Sequence, residues 1–187
     1  KEILDETKRM DVDLIVLTGN QDINRLSAVN STIIEETDQP VLVIPPNMDF
    51  QAFDRILYVT DYKKEDLKTL KQIAQIAKAF DAKIYALHMT DDQGFNEKIQ
   101  SRGFAEIVQN ETWYNNIQFI SAAGDDIVEI INKYNNRLDV NLITVLKSNR
   151  SFFKSIFKSD KTEKIIEQTE LPVLIFHEWG DFPVDGT

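Results

Sequence analysis

Short apolar runs alternate along the chain with longer stretches in which apolar residues recur every three or four positions. One short apolar run covers residues 55–60 and predicts a β-strand. The stretch 65–80 after it has the spacing of an amphipathic helix. Further strands are predicted at 83–89, 117–122, 140–146 and 172–177. Further helices are predicted at 95–110, 125–134 and 162–169. This alternation predicts a parallel sheet, because parallel strands need crossover connections.

The helix predicted at 95–110 contains several apolar residues and two nearby glycines. We expect the following side chains to face the core: Ile99, Phe104, Ile107 and Val108. Gly94 and Gly103 weaken the helical pattern, because glycine is a poor helix former. Trp113 follows the helix, and packing in the core or at an interface is the expected role for its side chain.

Two blocks of the chain occur twice in the same order. Residues 11–17 match residues 139–145, and residues 33–42 match residues 165–174, at offsets of 128 and 132. In both copies a buried strand leads through a loop and a helix to a strand that begins with proline. The second copy is preceded by about 85 residues that have no counterpart before the first. The first copy is therefore interpreted as a C-terminal fragment of a domain, and the second as a complete domain.

The repeat predicts the domain organisation. Residues 1–49 form the fragment, residues 50–179 the complete domain, and residues 180–187 an acidic tail containing glycine and proline. The chain begins with Lys1 and not with Met, so we expect it to be trimmed or part of a longer protein.

Residues 53–177 resemble one domain of the universal stress protein family. The resemblance rests on a first strand that ends in Thr60-Asp61, a second that ends in Leu87-His88, and a last strand that begins with Pro172. It implies an α/β fold with a five-stranded parallel sheet in the order 3-2-1-4-5 and helices on both faces. It also implies a partial second copy of this unit, and assembly as homodimers or tandem pseudo-dimers.

Family members that bind ATP carry the signature Gly-x2-Gly-x9-Gly-Ser/Thr after the fourth strand. Glycine lets the backbone approach the phosphates and adopt positive φ angles. The three glycine positions fall here on Leu146, Asn149 and Ser159, and the Ser/Thr position falls on Asp160. The signature is lost, and a carboxylate near the phosphates would repel them.

Asp61 matches the acidic residue that contacts the nucleotide in binding members, with Val59 and Thr60 beside it. A different role is also open, because Asp61 precedes a predicted helix and aspartate is a good N-cap. Together with His88 at the end of the second strand, these residues are the candidate ligand site. His88 and His177 both lie at strand ends, but their strands are separated in the implied sheet, so we expect no shared metal site.

The loop 147–164 is the most basic part of the chain. It has six Lys or Arg residues against two acids, a net charge of +4, whereas the rest of the chain has −14. Lys147, Asn149 and Arg150 are candidate anion ligands. Apolar residues at helical spacing in 152–157 are a candidate docking face for a protein partner. The alternative is an amphipathic turn that packs on its own core.

Composition narrows the classes of function. Of the 187 residues, 42% are hydrophobic, which is enough to form a sizeable core. The net charge of −10 argues against binding to nucleic acid or to anionic membranes. The absence of cysteine excludes disulfides and thiolate metal sites, and no apolar run is long enough for a membrane span.

The sequence predicts a cytoplasmic universal-stress-type protein that is not an enzyme, needs no cofactor and does not bind ATP in the usual way. It would act in stress responses through dimerisation and contacts with a partner or small ligand. The alternative is a nucleotide-binding domain that uses Asp61 and the loop 147–150. A flavodoxin-like redox domain is disfavoured, because no phosphate-binding loop follows the first strand. The strands expected at the domain interface comprise Pro40, Val41, Leu42, Val43, Ile44, Pro172, Val173, Leu174, Ile175 and Phe176.

Overall fold

The fold was analysed on a computed structural model of the chain. The structure describes residues 2–18, 28–49, 51–91, 94–124, 126–147, 165–166 and 168–178. The chain divides into two compact units, one formed by residues 50–146 and the other by residues 1–49 together with 147–187. The division of the chain inferred from the repeat remains a prediction, as does the partial second copy.

The unit 50–146 is an open α/β sheet. Its elements are β3 (Arg55–Thr60), α3 (Lys64–Phe80), β4 (Lys83–Met89), α4 (Phe95–Thr112), β5 (Ile117–Ala122), α5 (Ile127–Leu138) and β6 (Leu142–Lys147), of which the last residue belongs to the other unit. The strands lie in the order β5-β4-β3-β6, and every neighbouring pair is parallel. The carboxyl ends of β3, β4 and β5 therefore lie side by side, with Thr60 next to His88 and His88 next to Ser121.

The core of this unit follows from strands that are apolar on both faces. Ile56, Leu57 and Tyr58 are fully buried in β3, and Ile73 and Ala77 cover the sheet from α3. Helix α5 begins where Asp126 caps it, because the Asp126 carboxylate accepts hydrogen bonds from the amides of residues 128 and 129.

The other unit contains both ends of the chain. Its elements are α1 (Glu2–Met10), β1 (Ile15–Thr18), α2 (Ala28–Glu36), β2 (Val41–Ile44) and β7 (Val173–His177). Strand β2 is parallel to β1 and antiparallel to β7, with Leu42 opposite Leu174. The Nζ atom of Lys147 and Nε2 of His177 each lie 2.9 Å from the Ile34 carbonyl oxygen.

The predicted α/β class with a mostly parallel sheet is confirmed. The finer prediction, a five-stranded parallel sheet in the order 3-2-1-4-5 together with a partial second copy, is confirmed only in part: the described residues contain seven strands, and one neighbouring pair is antiparallel. The antiparallel pair arises because β7 pairs with a strand from the N-terminal segment. The four strands of the unit 50–146 keep the relative order expected for them.

Helix α4 differs from the prediction in the face that it buries. Phe104 and Val108 are buried as expected, but Ile99 is 53% and Ile107 49% exposed. The helix has apolar residues over more than half of its circumference, and only the side with Phe104 and Val108 reaches the core. Trp113, just beyond the helix, is 85% exposed. No helix in the described part of the chain is long and apolar enough to span a membrane.

Candidate functional site

The turn between β3 and α3 is organised by the buried carboxylate of Asp66. Its Oδ1 accepts a 2.5 Å hydrogen bond from the Tyr58 hydroxyl, and its Oδ2 accepts bonds from the backbone N–H groups of Asp61 (3.0 Å) and Lys63 (2.9 Å). Burial raises the pKa of Asp66, and burial together with the Asp66 charge raises the pKa of Tyr58 well above its usual value. The hydrogen bonds to Asp66 tie the Tyr58 hydroxyl and the two backbone N–H groups together and hold the turn in place.

Asp61 lies in this turn, directly after β3, and its side chain is only 10% exposed. Oδ2 is buried without a hydrogen-bond partner among the described residues, and the Lys63 ammonium is 3.9 Å away. Burial and the nearby Asp66 charge raise the pKa of Asp61 to about 6, against the opposing effects of Lys63 and His88. Asp61 is thus a buried acid that titrates close to neutral pH and retains an unused acceptor.

His88 lies beside Asp61 because its strand pairs in register with β3. The His88 Nδ1 atom is 2.9 Å from the Thr60 carbonyl oxygen and 4.0 Å from Asp61 Oδ1. A carbonyl oxygen only accepts, so the ring proton is assigned to Nδ1. The Tyr62 ring stacks on the imidazole with 4.3 Å between the centroids. The Tyr62 backbone is left-handed, with φ of 59°, and this conformation turns the ring toward His88.

Glu97, from the first turn of α4, completes the cluster on the side of β5. It is 5% exposed, and its Oε1 accepts a 2.6 Å hydrogen bond from the Ser121 hydroxyl. Its Oε2 lies 3.6 Å from Nε2 of His88. A cavity of about 300 Å³ opens next to this carboxylate and is lined by Glu97, Lys98, Ser101, Arg102 and Ser121.

The arrangement is suited to hydrogen bonding. Ser121 donates to Glu97 and not to a histidine, so this contact does not activate the hydroxyl as a nucleophile. The carboxyl groups of Asp61 and Glu97 on either side of His88 disfavour an anion and favour a ligand that donates hydrogen bonds. Within the described ranges, no group of three or more His, Asp and Glu residues is placed to hold a metal ion.

The structure brings four of the predicted site residues together, namely Val59, Thr60, Asp61 and His88. Asp61 does not cap α3: the helix begins at Lys64, and Asp66 accepts the hydrogen bonds in the turn before it. Lys147 lies in the other compact unit, where its ammonium donates to the Ile34 carbonyl oxygen. The other predicted ligands and the predicted docking face lie outside the described residues: Asn149, Arg150, Ser159, Asp160 and the stretch 152–157.

The strands predicted to form an interface lie next to each other within the chain. Val41 is opposite Ile175, and Val43 is opposite Val173. Because β2 also pairs with β1, both edges of β2 are occupied. Pairing of these strands with a second chain remains a prediction.

Sequence reasoning missed four residues of the cluster: Tyr62, Asp66, Glu97 and Ser121. Asp66 carried a usable signal, because an acidic residue three positions after a helix N-cap commonly accepts hydrogen bonds from the preceding turn. Ser121 and Glu97 come close to His88 because of the register of β4 with β5, and the sequence pattern does not predict this register.

A family comparison gives the same assignment as the fold. The family model described as the universal stress protein family matches residues 52–177, about two thirds of the chain. The chain belongs to the universal stress protein family. A search of curated proteins gives no significant match.

Solved structures of low sequence identity share the fold. A universal stress protein from Archaeoglobus fulgidus DSM 4304 matches with a TM-score of 0.73 and 17% identity, over 94% of this chain and 64% of that chain. A functionally unknown protein from Pseudomonas aeruginosa PAO1 matches with a TM-score of 0.68 and 16% identity, over 94% and 66%. A universal stress protein solved in complex with cAMP matches with a TM-score of 0.54 and 16% identity, over 68% and 99%. This chain thus spans less than two thirds of the length of the Archaeoglobus protein.

Proposed function

We propose that this member of the universal stress protein family is a non-catalytic binding protein with a small-ligand site at Asp61 and His88. The ligand is a neutral, amine-bearing ring such as adenosine, and ATP is not bound in the family's usual way. The protein acts in the cytoplasm as a homodimer in stress responses, without a cofactor.

The observation that carries this proposal is the Oδ2 atom of Asp61, which is buried without a hydrogen-bond partner among the described residues. A buried acceptor without a donor destabilises the folded state, whereas a ligand amine placed there would satisfy it. The Asp61 carboxylate is not required to hold the turn, because the Asp66 carboxylate already accepts hydrogen bonds from the backbone N–H groups of residues 61 and 63. The adjacent stacked rings of Tyr62 and His88 offer an aromatic edge for a planar ligand.

Two features argue against a triphosphate. The family's glycine positions are occupied by Leu146, Asn149 and Ser159, so the backbone cannot approach phosphate oxygens as glycine allows. The carboxyl groups of Asp61 and Glu97 also repel an anion placed near them.

The second candidate is nucleotide binding of the ATP or AMP type at a degenerate site formed by Asp61 and residues 147–150. It is favoured by the pKa of Asp61 near 6, because a partly protonated carboxyl group repels phosphate less than an ionised one. The fold is shared with a protein that was solved in complex with cAMP.

Thermal unfolding with added ligand tests both candidates. Adenosine and ATP are added separately at millimolar concentration to the wild type, to Asp61→Asn and to the exposed control variant Asn136→Asp. We expect adenosine to raise the Tm of the wild type and the control but not of Asp61→Asn. A ligand at ten times its Kd adds about 1.4 kcal/mol to the free energy of unfolding.

The pattern of shifts separates the candidates. A shift by ATP as large as that by adenosine would replace the first candidate with the second. No shift by either ligand would contradict the ligand site altogether. Release of phosphate from ATP, abolished by Asp61→Asn, would contradict the proposal that the protein is not an enzyme.

A further inference from the structure

Helix α4 presents an apolar face to solvent that its own unit does not cover. Phe95 is 77%, Ile99 53% and Ile107 49% exposed, and Trp113 follows directly after the helix. Phe95, Ile99, Gly103 and Ile107 recur every four residues and therefore form one continuous ridge on the helix surface. Exposed apolar ridges of this kind are typical of contact surfaces.

Gly103, in the middle of this ridge, has no explanation within the chain. A Cβ atom at this position would meet nothing within 4 Å, and φ is not positive. Glycine in the interior of a helix weakens it, so an alanine here would form a better helix. A glycine on an exposed helical ridge lets another backbone approach closely.

Apart from Glu97 in the first turn, the charged residues of α4 are distributed opposite to what an isolated helix prefers. Lys98 and Arg102 lie in the N-terminal half, whereas Glu106 and Glu111 lie toward the C-terminus, and the last turn has no basic residue. The helix dipole favours the reverse distribution. Glu111 is paired with Lys71 of α3, but within the described part of the chain neither Arg102 nor Glu106 makes an ion pair.

We infer that this face of α4 binds the same face of a second copy of the chain, with the two helices antiparallel and crossing at Gly103. Ile99 and Ile107 are each four residues from Gly103, so a twofold axis there places Ile99 against the partner's Ile107. The basic half of each helix then faces the acidic half of the other, and Arg102 lies near the partner's Glu106. The ridge packs against itself in the common i±4 mode.

This contact uses neither Asp61 and His88 of the ligand site nor the strands predicted at the interface; of its residues, Arg102 also lines the cavity beside Glu97. Both edges of β2 are already occupied by β1 and β7 within one chain, so α4 offers a self-complementary surface that strand pairing does not provide. Loss of ligand binding in Asp61→Asn would leave the contact between the helices unchanged.

Cross-linking tests the position of the twofold axis. The chain has no cysteine, so Gly103→Cys and the control Asn136→Cys, at an exposed position of α5, each introduce a single thiol. Under mild oxidation at micromolar concentration we expect Gly103→Cys to form a disulfide-linked dimer at least about tenfold faster than Asn136→Cys. Equal rates, or no dimer with either variant, would overturn the proposal.

Charge exchange tests the orientation of the helices. Arg102→Glu and Glu106→Arg are each expected to weaken the dimer by about tenfold in sedimentation, because like charges then face each other. A mixture of the two single variants should form a heterodimer at least as tight as the wild type. Circular dichroism of each variant checks that the fold is kept. A wild type that stays monomeric up to millimolar concentration, or a mixture that does not associate, would overturn the proposal.

Discussion

The turn after β3 holds two buried carboxyl groups that differ in what they bind. Asp66 receives three hydrogen bonds, from the Tyr58 hydroxyl and from the N–H groups of Asp61 and Lys63. Asp61, five residues earlier, keeps one buried oxygen without a hydrogen-bond partner among the described residues. A satisfied buried acid stabilises the fold, whereas an unsatisfied one reduces stability and is typical of a functional site. We therefore assign Asp66 to the stability of the turn and Asp61 to the binding of a ligand.

Replacing Asp66 should have the largest effect on stability. Asp66→Ala removes the acceptor for three donors, two of which belong to the backbone of the turn. We expect the free energy of unfolding to fall by about 3 kcal/mol or more, because buried donors would be left without partners. Urea unfolding followed by circular dichroism measures the loss. A decrease in the free energy of unfolding of less than about 1 kcal/mol would show that Asp66 does not have the structural role that distinguishes it from Asp61.

Replacing Asp61 should increase the free energy of unfolding, and the size of this increase should depend on pH. The folded-state pKa of Asp61 is about 6, above the value of 3.8 expected for the unfolded chain. Its contribution to stability is therefore full below about pH 4 and is lost as the pH rises through 6. We expect Asp61→Asn to be about 2 kcal/mol more stable than the wild type at pH 7.5 and nearly equal to it at pH 4.

Urea unfolding of both proteins between pH 4 and 8 measures this difference, because the other titrating groups are common to both. A variant that is less stable than the wild type at pH 7.5 would mean that Asp61 has a structural partner in the folded chain.

Tyr58→Phe removes one of the three donors to Asp66 and leaves the two backbone donors in place. We expect a loss of about 1.5 kcal/mol, as is typical of a hydrogen bond to a charged group. The urea midpoint should fall without a change in m-value. An unchanged midpoint would indicate that the backbone amides alone satisfy Asp66.

Lys63→Met should have the smallest effect, and we expect it to change the pKa of Asp61. The Lys63 ammonium, 3.9 Å from Asp61 Oδ2, lowers the pKa of that carboxyl group, so its removal should raise the pKa further. The midpoint in the pH dependence of stability should move upward by a few tenths of a pH unit, because exposed ion pairs are weak. The double variant Lys63→Met/Asp61→Asn is the control and should show no such shift.

Much of the fold follows from periodicity. Strands β3, β4 and β5 have the predicted bounds, because short apolar runs between polar turns leave little freedom in where a buried strand begins or ends. The pairing of β2 with β7 in one chain and the orientation of α4 do not follow from local pattern. Ile99 and Phe104 are both apolar residues on one helix, and only tertiary packing decides which of them reaches the core.

The site was only partly predictable. Asp61 and His88 were identified through a family resemblance and through their positions at strand ends. The hydrogen bond between Glu97 and Ser121 joins residues 24 positions apart and depends on the register of neighbouring strands. The raised pKa of Asp61 depends on its burial, which a sequence pattern does not give.

The pairing of β2 with β7 has a consequence for the order of folding. Val41 and Ile175 are partners although 134 positions separate them, whereas the unit 50–146 is continuous in sequence. During synthesis the continuous unit leaves the ribosome before β7 exists, so it can fold while β2 still has an unpaired edge. Closing the long loop between β2 and β7 is slow. Until it closes, the unpaired edge of β2 is a site at which newly made chains can aggregate. The synthesis of β7 therefore decides when the open edge of β2 becomes protected.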